Sequence, residues 1–206
     1  MFLKTLARGP DRNLSYLFGP EGNGPLAAVD PGSDPQPVLD AAGGRPIAYI
    51  FATHGHADHI EGLLPLKQRT NGLVLAHRLA LPAFEAAGIP LDIPLSGGDH
   101  MDVGGVPLRI LYTPGHHPAA ISILVADRYL FTGDTLFVGD CGRTDLAEAS
   151  AFTLFVTVRM LAQLEDDVII LPGHDYGPTP TSTIGRERAE NPAMTARTFE
   201  EFDAIP

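Results

Sequence analysis

Thr53-His54-Gly55-His56-Ala57-Asp58-His59 places three histidines and one aspartate within six residues. Imidazole and carboxylate are the ligands that suit Zn²⁺ and Fe²⁺. A lone histidine is most often an ordinary core or surface residue, but four candidate ligands on one short stretch point to a metal. On an extended backbone, residues i, i+2 and i+4 face one way. His54, His56 and Asp58 are therefore expected to project together, and His59 the other way. A helix would turn His54 and His56 about 200° apart, so this is not a helical pair of the H-E-x-x-H kind. The run just before it, Ile47-Ala48-Tyr49-Ile50-Phe51-Ala52, is short, apolar and β-prone, and reads as a buried strand. Ligands on a loop just past such a strand are held rigidly yet stay open to solvent.

Upstream, residues 2–6 and 13–19 read as strands joined by a turn at Gly9-Pro10-Asp11. Residues 25–29 give a third strand, which ends at the turn-forming run Asp30-Pro31-Gly32-Ser33-Asp34. Short strands with tight turns suggest an antiparallel meander. Downstream, strands are expected at 73–76, 106–112, 120–125, 129–132 and 168–171. Apolar periodicity predicts helices at 37–42, 60–69, 78–87, 150–164 and 182–191, the last capped by Thr181 or Ser182. His77 and His100 lie outside any cluster and read as ordinary. One feature recurs: four strands each run into a ligand type. Strand 47–52 leads to His54, 106–112 to His116, 129–132 to Asp134 and 168–171 to His174, the last three with Gly or Pro-Gly just before. Strand ends along one sheet edge converge in space, so these residues are expected to share a site.

The 206 residues suffice for one sizeable core. With 44% hydrophobic and 19% charged residues the chain is globular. A net charge of −11 without a Lys/Arg cluster argues against nucleic acid or an anionic membrane as partner. The single cysteine, Cys141, excludes an intrachain disulfide and fits a reducing cytoplasm. No secretory leader is evident near Met1, and no run of 18 apolar residues is present.

H-x-H-x-D-H, then P-G-H, then G-D, then P-G-H, in this order along nearly the whole chain, resembles the metallo-β-lactamase superfamily. The resemblance implies an α/β fold: a four-layer αβ/βα sandwich of two mixed sheets with helices on the outer faces. It implies that His54, His56 and His116 hold one metal, that Asp58, His59 and His174 hold a second, and that Asp134 bridges them. Asp134 stands where several true β-lactamases carry cysteine, which argues against that activity. Cys141 lies beyond that position and reads as a packed or mildly reactive thiol.

Within the superfamily, Gly133-Asp134-Thr135-Leu136-Phe137 and Cys141-Gly142 are similar to glyoxalase II, a hydrolase of acyl-glutathione thioesters. Gly142-Arg143-Thr144-Asp145 and His174-Asp175-Tyr176 are more like the persulfide dioxygenases. The first likeness implies two divalent ions (zinc, iron or manganese), a water activated by the metals, and a thioester substrate. Asp58 would then be ligand and orienter of the nucleophile, with His54, His116 and Asp134 completing the catalytic set. The second implies one Fe(II) on His54, His116 and Asp134, oxidising glutathione persulfide. A lactonase or other ester hydrolase, or a metal-binding protein without turnover, are further alternatives. Arg143 is the candidate for a glutathione carboxylate, its rival reading being an ion pair with Asp145 or Asp140. Tyr176 is the second candidate beside the substrate. The expected partner is a small glutathione conjugate, and a homodimer stays open. About thirty residues follow His174, too few for the helical C-terminal domain of full-length glyoxalase II, so residues 1–206 are expected to form one domain. After Pro114-Gly115-His116 the family's [ST]-P-G becomes His117-Pro118-Ala119, which leaves His117 as either a group behind the ligands or a solvent-facing loop residue.

Overall fold

A computed structural model describes residues 1–8 and 11–205. Gly9 and Pro10 of the expected first turn lie outside the described residues. The chain forms two six-stranded sheets in succession. The first takes β1 (Phe2–Arg8), β2 (Asn13–Gly19), β3 (Leu26–Val29), β4 (Ile47–Phe51), β5 (Leu73–His77) and β6 (Ile93–Leu95), side by side in that order. Helix α1 (Gln36–Ala42) follows β3. Helices α2 (Ala57–Ile60) and α3 (Leu63–Thr70) follow β4, and α4 (Leu81–Ala86) follows β5. β1 to β3 form the antiparallel meander, and β3 to β6 are parallel. Parallel neighbours need crossovers, which the three helical connections supply.

The second sheet contains β7 (His100–Val103), β8 (Val106–Tyr112), β9 (Ile121–Val125) and β10 (Tyr129–Gly133). A small hairpin follows, β11 (Leu136–Phe137) with β12 (Asp140–Cys141), and then α5 (Ala151–Leu161). β13 (Ile169–Pro172) and β14 (Ser182–Thr183) complete the sheet, in the order β14-β13-β10-β9-β8-β7. Helices α6 (Ile184–Glu190), α7 (Pro192–Thr195) and α8 (Phe199–Asp203) end the chain.

Three apolar layers account for this stacking. Alternate residues of β2 (Leu14, Tyr16, Phe18) meet Ile110, Ile123, Phe131 and Leu171 between the sheets. Tyr16 and Phe18 both pack on Phe131, with ring centroids 5.0 and 5.3 Å away. The outer face of the first sheet (Leu17, Ile50, Val74) is covered by Val38, Leu63, Leu66 and Phe84 from its helices. The outer face of the second (Leu124, Leu130, Ile170) is covered by Leu154, Val158, Ile184 and Phe202. The period of 2 in the strands thus serves two cores at once.

Some elements depart from expectation. Residues 78–87 split into a 3₁₀ turn, Arg78–Ala80, and α4, because Pro82 is tolerated only in the first helical turn. Ser182 and Thr183 pair with β13 instead of opening a helix, so the cap of α6 is the Thr183 hydroxyl, not Thr181 or Ser182. In α5 the expected apolar set divides: Leu161 is buried, while Phe152, Val156 and Met160 face outward.

Candidate metal centre

All candidate ligands meet where the two sheets share an edge. His54 and His56 stand on the loop after β4, His116 between β8 and β9, Asp134 directly after β10, and His174 after β13. An antiparallel bridge between Asn13 and His174 and a 2.7 Å hydrogen bond from the Tyr16 hydroxyl to the Pro172 carbonyl tie the sheets together here.

The chain is extended only as far as His56 and turns helical at Ala57. This corrects the expectation for His59. It does not point away: α2 swings it inward, fully buried, with its ring centroid 4.3 Å from that of His54. Two groups of ligand atoms result. His54 Nε2 and His116 Nε2 each lie 3.0 Å from His56 Nδ1. Asp58 Oδ2 lies 3.4 Å from both His59 Nε2 and His174 Nε2. Asp134 stands between the groups, with Oδ1 3.4 Å from His59 Nε2 and Oδ2 3.3 Å from His174 Nε2 and 3.7 Å from His116 Nε2.

The outer nitrogen of every ring is already committed. His116 Nδ1 donates to the Arg143 carbonyl and His174 Nδ1 to that of Asp11, both at 2.9 Å. His59 Nδ1 donates to Asp30 Oδ2 at 3.0 Å. The Thr53 hydroxyl gives its proton to Asp30 Oδ2 and so receives one from His54 Nδ1, 3.1 Å away. His56 Nε2 lies 3.1 Å from Glu148 Oε1. A neutral imidazole carries one proton, so in the first group each inner nitrogen is left as a bare lone pair. Three such lone pairs face one another across 3.0 Å in the first group, and Asp134 Oδ1 is buried without a hydrogen bond. Lone pairs and an orphaned carboxylate oxygen converging in this way fit divalent cations, with the second nitrogen of each ring anchored as metal-ligating histidines require. Neither ligand group gives the identity of the ion.

Electrostatics agree. Burial alone would favour the neutral form of every group here. For Asp134 it is outweighed by His59 and a hydrogen bond from His174, which hold the carboxylate well below its usual range. For His174 it is outweighed by Asp134 and Asp58, which push the imidazole up to about 10. Burial and the neighbouring imidazoles hold His54 low. The carboxylates thus ask for positive charge at the centre of the site.

Glycines allow the close approach. Gly133 has φ +49°, and a Cβ there would run into the Thr53 side chain. A Cβ on Gly173 would strike Asp134 Oδ1. These are the glycines just before Asp134 and His174. Gly133→Ala is expected to lower Tm and to weaken metal uptake together, because Thr53 orients His54; calorimetry and elemental analysis of the variant check both.

Beside the ligands, a cleft of about 210 Å³ is lined by His116, Asp134, Phe137, Asp140, Cys141, Arg143 and Tyr176. Both substrate-binding candidates therefore border it. The Arg143 fork grips Asp145 through two bonds of 2.6 and 2.7 Å, the ion pair that was its rival reading. Tyr176 stacks on His174 at 4.7 Å between centroids. Cys141 is no reactive thiol: burial, helped by Asp140, pushes it up to about 12. His117 is buried, which removes its solvent-facing reading. His77 stacks on Tyr112, away from the ligands.

Three supporting residues escaped the sequence. Asp30 binds Thr53 N, Thr53 Oγ1 and His59. Asn13 holds Asp58 Oδ2 at 2.8 Å, and Glu148 meets His56. For Asp30 a signal existed: β3 also runs into a carboxylate, but the Asp-Pro-Gly run reads as a turn.

Comparison with known proteins agrees with this architecture. The hydroxyacylglutathione hydrolase of Rhodopseudomonas palustris (strain BisB18) is 34% identical over 192 residues, 91% of this chain and 72% of that protein. The human mitochondrial persulfide dioxygenase ETHE1 is 32% identical over 203 residues, 93% of this chain and 75% of that protein. The crystal structure of ETHE1 from Myxococcus xanthus superposes with a TM-score of 0.85 at 29% identity, covering 100% of this chain and 92% of that one. Residues 8–174 match the family described as the Metallo-beta-lactamase superfamily. With the two mixed sheets, their outer helices and the His/Asp cluster at the shared edge, the chain belongs to the metallo-β-lactamase superfamily.

Proposed function

We propose that the chain is a hydrolase of the glyoxalase II kind, using two divalent ions to cleave a thioester such as an acyl-glutathione. The observation that carries this reading is the completeness of the second ligand group. Asp58, His59 and His174 are each fixed from behind, by Asn13, Asp30 and the Asp11 carbonyl. A mononuclear enzyme does not require that support.

In this reading His54, His56 and His116 hold one ion, Asp58, His59 and His174 the other, and Asp134 both. The bound ions supply a water of lowered pKa and a Lewis acid for the carbonyl oxygen. Asp58, half exposed and steadied by Asn13, would orient the attacking water. Arg143 exchanges Asp145 for a substrate carboxylate, and Tyr176 lines the same cleft. A thiolate leaves readily, so no separate general acid is needed. We take residues 1–206 as one catalytic domain working in a reducing cytoplasm, which the lone cysteine fits. No helix among the described residues is long and apolar enough to cross a membrane.

The second reading is an iron persulfide dioxygenase on His54, His116 and Asp134. The relative named persulfide dioxygenase favours it, since it matches at nearly the same identity as the hydrolase. Anaerobic purification, metal analysis, S-lactoylglutathione hydrolysis and O₂ uptake with glutathione persulfide separate the two. About two ions per chain with thioester cleavage is the expected result; about one iron with rapid O₂ uptake would establish the dioxygenase. Metal with neither activity would point to a lactonase or another esterase. Arg143→Ala is expected to raise KM for the glutathione conjugate several-fold with kcat and metal content unchanged, the pattern of lost uniform binding. An unaltered KM would leave Arg143 with its ion pair alone.

A further inference from the structure

His56 differs from the other ligands of its group. It is 23% exposed, against 1% for His54 and 4% for His116. Its outer nitrogen is held by Glu148, on the segment 142–149 between β12 and α5. Glu148 also neighbours His117: a ring nitrogen of each histidine and a Glu148 oxygen all lie within 4.8 Å of one another.

This triad has the composition of a third cation site, but its protons exclude one. The Ala119 backbone N–H donates to His117 Nδ1 at 2.9 Å. Nδ1 therefore carries no hydrogen, and the proton of His117 sits on Nε2. A cation held by the three residues would have to strip that last proton. It would also have to bind His56 through Nε2, while Nδ1 of the same ring faces His54 and His116. What remains is a single contact, His56 Nε2 to Glu148 Oε1 at 3.1 Å, with the His117 ring beside it.

The same segment holds a second ligand. The Arg143 carbonyl accepts the proton of His116 Nδ1 at 2.9 Å. Two of the three imidazoles in the first group thus take their orientation from segment 142–149. The third, His54, takes it from buried Thr53 and Asp30. The segment is pinned at its far end, where Ser150 N donates to the Gly115 carbonyl at 2.7 Å.

We propose that segment 142–149 is a strap that positions the first metal group, with Glu148 the positioning residue for His56 and the Arg143 carbonyl that for His116. Arg143 lies on the same strap, so the candidate substrate-binding side chain and two ligand-orienting groups share one segment. The proposal rests on the metal-dependent reading above and adds which residues set the affinity of one ion.

Chelator competition on the Co²⁺-loaded protein tests it, comparing the natural chain with Glu148→Ala and Glu148→Gln. Glu148→Ala is expected to weaken one of the two ions by roughly 10–100-fold, the usual cost of losing a partner behind a ligand, and to leave the other unchanged. Glu148→Gln should recover most of this, since its amide oxygen still accepts. In the Zn²⁺-loaded protein, the imidazole N–H proton resonance of His56 should be lost in Glu148→Ala and kept in Glu148→Gln. Glu148 is 42% exposed, so equal melting of the metal-free chains is expected. Both ions held as tightly by Glu148→Ala as by the natural chain would overturn the strap while leaving the metal site intact. A natural chain that binds no cation would overturn the metal reading itself and the strap with it.

Discussion

Asp134→Ala is expected to leave the chain without either ion. Its two oxygens reach His59 in one direction and His174 and His116 in the other, so it touches ligands of both groups. Removing it takes one ligand from each ion at once. Lewis-acid and charge stabilisation by bound metal contributes several kcal/mol to such reactions. At 1.36 kcal/mol per decade, its loss lowers kcat/KM by about 10³-fold or more. Elemental analysis after purification without chelator, and thioester hydrolysis on the same sample, measure both. Full metal retention would show that Asp134 does not bridge. Asp134→Asn keeps the shape and one neutral oxygen, and should fall between the two.

The second large effect is expected where no ligand is touched. Asp30→Ala should lower stability and empty the site together. Asp30 is buried and accepts three hydrogen bonds, from Thr53 N, Thr53 Oγ1 and His59 Nδ1. Its backbone is left-handed, with φ +46°, a strained state for this residue that persists only when its surroundings impose it. Breaking a buried, hydrogen-bonded charge costs about 3–5 kcal/mol. At roughly 2–4 °C per kcal/mol for a chain of this size, Tm should fall by on the order of 10 °C. Asp30→Asn separates the two effects. Its amide can refill the space, but if its NH₂ faces His59 the proton of that ring moves to Nε2, where the lone pair is needed. That variant is expected to melt close to the natural chain and still lose affinity in the second group by roughly 10–100-fold. Scanning calorimetry with metal titration reads both; a variant as unstable as Asp30→Ala would make the role of Asp30 one of packing alone.

The architecture was legible where residues carry a period. The strands of both sheets announce themselves by apolar runs, and four of their ends led straight to His54, His116, Asp134 and His174, the last three through a glycine. The short β6 and β7 were not legible, since three or four residues including Pro94 or Asp102 show no alternation. The direction of His59 was misread because the backbone changes from extended to helical in the middle of the motif, at Ala57, and a single periodicity was carried through it. Asn13 and Glu148 were invisible for another reason. They lie 45 and 92 residues from the side chains they hold, and only the folded topology brings them there. Asp30 obeys the strand-end rule that found Asp134, but its turn-like neighbours Pro31 and Gly32 offered a sufficient local explanation.

The division of the ligands between the sheets bears on how the protein comes into being. The first group takes His54 and His56 from the half that builds the first sheet, and His116 from the other half. The second takes Asp58 and His59 from the first half, and Asp134 and His174 from the second. Neither half holds three ligands for one ion in its folded geometry. A ribosome that has released only the first sheet has therefore produced a scaffold that cannot capture its ion. Loading waits until His174 has emerged and the sheets have docked through Tyr16, Phe18 and Phe131. On the two-ion reading, ions that bind only the docked form would hold it together by mass action, so metal removal is expected to lower the stability of the finished chain as well as its activity.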